Sequence, residues 1–147
     1  MQYTTEITIP ANTTQTNAID TKLKLANGIL HKVDIVFPPG CVGLAHVACF
    51  FGGHPVIPST EPQSYSGDNE SIIIPEFTKL YWGKNKITIR TWNLDDTFKH
   101  TVLLRFYVLP RKYLLPSGIA EGIIASLRSL MIDKTSETKE VIISQNG

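Results

Sequence analysis

Residues 41–54 read CVGLAHVACFFGGH. With His31 upstream, this stretch brings together both cysteines of the chain and three of its four histidines. Such a set suggests either a metal or thiol site, or one strand whose polar letters are incidental. Counting by two separates the alternatives, because successive side chains of a strand point to opposite faces. His46 then shares a face with Leu44, Ala48 and Phe50, while Cys49 lies on the other face with Ala45, Val47 and Phe51. Two ligands on opposite faces of one strand cannot hold one ion. Cys41 and His54 fall in the flanking turns, where a catalytic thiol–imidazole pair would require the two turns to meet. The stretch is therefore expected to be a buried strand, closed by Gly52-Gly53 and forming a hairpin with the strand before it.

That preceding strand spans residues 29–37 and places His31 on the face of Ile29, Val33, Ile35 and Phe37. Pro38-Pro39-Gly40 ends it, since proline donates no ladder hydrogen bond. Asn27-Gly28 predicts a tight hairpin turn to an earlier strand at residues 21–26, where Leu23 and Leu25 alternate with Lys22 and Lys24. Further alternation marks strands at residues 3–9, 71–74, 78–82, 86–92 and 100–109. Residues 54–70, HPVIPSTEPQSYSGDNE, are expected to form a long loop.

These elements total about eight strands with no interleaved helices, which predicts an all-β, antiparallel β-sandwich over residues 1–110. Residues 111–147 read differently. After the linker PRKYLLP and an N-cap at Ser117, the residues Ile119, Ile123, Ile124, Leu127, Leu130 and Met131 recur at helical spacing. A polar run then leads to Val141, Ile142 and Ile143. An amphipathic helix and tail of this kind must bury an apolar stripe, either on the chain's own sandwich or on a neighbour. These nine residues are the expected partner-binding set.

Composition narrows the function. The chain has 147 residues, 18% charged, with a formal net charge of +1. Near neutrality argues against a nucleic-acid-binding surface, which needs clustered Lys and Arg. No apolar run reaches the length of a membrane span. The N-terminus, MQYTTEITIP, lacks a positive region followed by an apolar core, so synthesis in a cytoplasm without a signal peptide is expected. No Gly-rich phosphate loop, nucleophile elbow or paired-carboxylate spacing occurs. No enzymatic activity, cofactor or metal is expected. The turn residues Asp95-Asp96 and Asp68-Asn69-Glu70 carry hard oxygens suited to Ca²⁺, but Asn and Asp are also what turns select. Tyr65, Tyr81, Trp82 and Trp92, with Asp68 in the long loop, offer a candidate ligand platform for stacking sugars.

The strings ITIPANTT, NGILHKVDIVFPPGCVGLAHVACFFGGHPVIPS, SGDNESI and TWNLDDTFKHTVLLRFYVL, taken together over residues 6–109, resemble small single-jelly-roll proteins encoded beside structural genes of tailed phages and in environmental viral sequences. The shared features are turn chemistry: they mark a fold family rather than a reaction. The resemblance implies a jelly-roll-like sandwich and a role in the virion as a capsid decoration or auxiliary protein. It also implies a homotrimer that stabilises the shell and contacts the major capsid protein or another virion protein. A carbohydrate- or receptor-binding knob of a head fibre or tail is the alternative. A cupin-like metal enzyme is a third reading, weakened because no strand carries two histidines two residues apart.

Overall fold

The structure is a computed structural model that describes residues 1–110 and 112. The helix expected after Ser117 and the strand expected at residues 141–143, with all nine of their apolar residues, lie outside the described residues.

The strands are β1 (Gln2–Ile9), β2 (Ile19–Lys24), β3 (Gly28–Phe37), β4 (Ala45–Phe51), β5 (His54–Ile57), β6 (Tyr65–Ser66), β7 (Glu70–Leu80), β8 (Lys86–Asn93) and β9 (His100–Leu109). A 3-10 turn, Gln15–Asn17, sits between β1 and β2. The strands form two antiparallel sheets, one ordered β1-β9-β3-β7 and the other β2-β8-β4-β5, with β6 also paired to β4. The chain changes sheet at nearly every connection, which is the jelly-roll-like arrangement of a sandwich.

Alternation within each strand explains why the sheets stack. Val33, Ile35 and Phe37 on β3 and Val102, Leu104, Phe106 and Val108 on β9 form the inner face of the first sheet. Val47 and Cys49 on β4, with Ile87 and Ile89 on β8, form that of the second. Most of these side chains have no solvent exposure. Burying two such faces against each other is the main source of stability in a sandwich of this size.

Several sequence expectations need correction. Asn27-Gly28 does not close a hairpin, because β2 pairs with β8 while β3 pairs with β7 and β9. Gly28 is required for another reason: a Cβ there would stand 2.3 Å from the Leu109 carbonyl oxygen, at φ +154°. For the same reason β3 and β4 are not a hairpin; the Pro38–Leu44 connection carries the chain between sheets. Gly52-Gly53 instead makes the tight turn, with φ of +56° and +80° joining β4 to β5.

His31 is not on the core face. The β3 register shifts between Leu30 and Lys32, so Leu30 and Val33 are both fully buried while His31 turns out towards Tyr107. The long loop is not structureless either, since β5 and β6 within it pair with β4. Residues 70–80 form one strand rather than two short ones. Pro75 does not break it because β7 is the edge of its sheet, where a missing donor costs no ladder bond on the free side.

Candidate functional sites

The outer face of the second sheet carries a cavity of about 380 Å³. Its floor is Ala48 and Phe50 from β4 with Arg90 and Trp92 from β8, and its wall is the proline-rich chain between β5 and β6. Outward alternation along β8 places Thr88, Arg90 and Trp92 on this face, as their spacing requires. Trp92 is nevertheless 4% exposed, because the β5–β6 chain covers it. Its indole stacks on the His46 imidazole with ring centroids 5.2 Å apart and planes 3° from parallel. Nδ1 of His46 shares a 3.0 Å hydrogen bond with Oγ of Ser64. Burial lowers the pKa of His46 from its ordinary value, because desolvation disfavours the charged imidazolium.

Arg90 is fixed in a fork. Its Nε and Nη2 donate to the two Asp20 oxygens at 2.8 and 3.0 Å, and its guanidinium lies 4.8 Å from the Phe50 ring centroid. The hydrogen bonds from Arg90 draw the Asp20 carboxyl below its usual range. Sequence reasoning missed Arg90, Asp20 and Phe50, because two long-range pairings unite them: β2 with β8 brings Asp20 to Arg90 across 70 residues, and β4 with β8 brings Phe50 beside it.

The expected aromatic platform does not form. Tyr65 packs partly buried against the core from β6. Trp92 is covered, and Trp82, 88% exposed, stands in the β7–β8 turn, six residues of β8 away from it. Asp68 is structural: Oδ1 accepts the Gly40 N–H at 2.8 Å.

The loops at one end of the sandwich form a second feature. Asn93 is fully buried and donates through Nδ2 to the Phe98 and Ile9 carbonyls at 2.8 and 3.3 Å, while Oδ1 accepts the Asp95 N–H at 3.0 Å. Oδ1 of Asp95 accepts the N–H groups of Thr97 and Phe98, and Oδ2 bonds Nε2 of His100 at 2.8 Å. Those two backbone donors, then His100, draw the Asp95 carboxyl below its usual range. Both oxygens are therefore engaged by the turn itself. Among the described residues no three His, Cys, Asp or Glu side chains are grouped to hold a metal. Cys41 is buried here, before β4, whereas His54 follows the far end of β4, so the turns that would have to meet for a thiol–imidazole pair are at opposite ends. Burial pushes the Cys49 thiol up to about 12.

On this hydrogen-bonded frame three apolar side chains face solvent: Val42 (69% exposed), Leu94 (51%) and Phe98 (66%). Val42 and Gly43 are the central residues of a turn closed by Leu44 N–H to Cys41 O at 2.8 Å. Their φ angles, +49° and +71°, are both positive, as a type I′ turn requires. Valine is among the least suited residues for that conformation, because its branched Cβ crowds the backbone.

Compared with known proteins, the chain matches no family model, no curated protein and no solved structure. The chemistry of the sites therefore rests on their geometry. The outer-face cavity offers stacking and a fixed cation, and beside it the Ser64 hydroxyl and the His46 imidazole share one hydrogen bond. The loop end offers rigid apolar contact area.

Proposed function

We propose that the protein is a non-enzymatic, self-associating virion component of the capsid decoration or auxiliary type, assembled as a homotrimer on a shell surface. The supporting observation is the loop end: Val42, Leu94 and Phe98 are held out to solvent on a frame of buried hydrogen bonds, with Val42 in a backbone conformation that disfavours it. Strain kept at an exposed apolar residue is expected where the side chain serves a contact. Rigid apolar contacts lose little entropy on association. Closed symmetry would bury the same patch of each copy, and the apolar positions between Ile119 and Ile143 supply a second contact to neighbours.

The test is the native mass of the full chain at micromolar concentration, by native mass spectrometry and light scattering. A trimer that a Leu94→Ser/Phe98→Ser variant dissociates supports the proposal. A monomeric wild-type chain removes it.

A further inference from the structure

Beside the Trp92 cavity, on the same sheet face, lies a second hollow of about 490 Å³. Lys22 of β2, Lys86 of β8 and Lys84 of the β7–β8 turn converge on it, with His54, Phe51 and Thr88. None of the residues lining it is acidic. Among the described residues none of these three lysines forms a salt bridge within 4.0 Å, and the nearest carboxylate interaction is the longer-range attraction of Lys22 to Asp20. Asp20, two residues from Lys22, is already held by both arms of Arg90.

Two glycine turns shape the rim. Gly52-Gly53 joins β4 to β5, and Gly83, at φ +79°, completes the turn in which Lys84 N–H donates to Tyr81 O at 2.8 Å. Three lysines lining one concavity, with the Lys84 ammonium 5.6 Å from the Tyr81 ring centroid, repel one another and focus a positive potential into it. In a chain of net charge +1, that concentration is local rather than a consequence of overall composition.

We infer that this hollow binds the sulfate or carboxylate group of an acidic saccharide. Two features favour a saccharide over a nucleic acid. The lysines converge on a hollow of ligand size rather than tracking along a stripe, as a phosphate backbone requires. The hollow is also continuous with a stacking surface: Thr88, in its lining, pairs across the ladder with Phe50, on the floor of the Trp92 cavity. An oligosaccharide can present its oxyanion to the lysines and lay a ring face along Phe50 towards Arg90. The site does not depend on the loop-end contacts or on the oligomeric state.

The full chain is titrated by calorimetry with a heparin-derived tetrasaccharide, a sialylated trisaccharide, neutral maltotetraose and a short oligothymidylate. Binding of either acidic saccharide, weakened by salt, with none for maltotetraose, is the expected result; which of the two binds identifies the oxyanion. Lys22→Gln/Lys86→Gln and Lys84→Gln should each weaken it about tenfold or more, the scale of a lost charged hydrogen bond. Lys79→Gln/Lys99→Gln, which removes two charges outside the hollow, should change it less than about twofold. All five positions are exposed, so circular dichroism should show an unchanged fold. Failure of both acidic saccharides to bind overturns the inference. So does an equal loss in the control variant, or tighter binding of the oligothymidylate than of either saccharide.

Discussion

Val42→Asn should make the protein more stable while weakening its self-association. Val42 occupies the first central position of a type I′ turn at φ +49°, followed by Gly43. A left-handed conformation costs an ordinary L-residue about 1–2 kcal/mol, and Asn-Gly is the pair such turns favour most. Against this gain stands the covered part of the valine. At 69% exposure about a third of the side chain is shielded, and full burial of valine contributes roughly 1.5–3 kcal/mol, so its loss costs about 0.5–0.9 kcal/mol. The net expectation is a stabilisation of about 0.5–1 kcal/mol, or a melting temperature higher by roughly 2–6 °C. Val42→Ala separates the two contributions, because alanine loses the same contact but keeps the backbone penalty; it should be neutral or slightly destabilising. The assay is urea and thermal unfolding of all three proteins, with native mass measured in parallel. An Asn variant no more stable than the Ala variant would refute the strain argument. An Asn variant that is more stable yet associates as strongly as wild type would show that Val42 is not part of the contact.

Three other outcomes follow from the geometry. Asn93→Ala leaves the Phe98 and Ile9 carbonyls and the Asp95 N–H without their side-chain partner, and should cost about 2–4 kcal/mol in urea unfolding. Gly28→Ala drives a Cβ to 2.3 Å from the Leu109 carbonyl oxygen and should cost roughly 2 kcal/mol or more, seen as a lower urea midpoint. His46 has a lowered pKa in the folded chain, so between that value and the ordinary 6.5 the unfolded chain binds the extra proton. Stability from this group is therefore full above about pH 7 and falls as the pH drops below 6.5. His46→Phe, which keeps a ring against Trp92, should flatten that part of the urea-midpoint profile relative to wild type, and an unchanged profile would contradict the assignment.

Much of the architecture is legible in period-two alternation. It placed β9 at residues 100–109 without error and put Cys49 in the core with His46 on the other side. That follows because the inward choice at each strand position is made locally, by which residues are apolar. The β3 bulge is where local counting fails. One extra residue swaps faces, so His31, counted with Val33, turns outward. Pairing partners are beyond local reach as well. Asn27-Gly28 looked like a hairpin turn because its letters report backbone freedom, and both a turn and a close approach to Leu109 require that freedom.

The sites divide in the same way. From its sequence alone the protein is a sandwich of alternating strands with an apolar C-terminal stretch, since strand and helix periods are properties of neighbouring residues. Only the tertiary structure decided what surrounds each polar group. CVGLAHVACFFGGH proved to be a central strand of the second sheet, with His46 stacked on Trp92, which comes 46 residues later. Lys22 meets Lys84 and Lys86, and Asp20 meets Arg90, only because β2 pairs with β8 across the whole intervening chain. Burial and charge proximity depend on such long-range pairing, and no window of the sequence contains it.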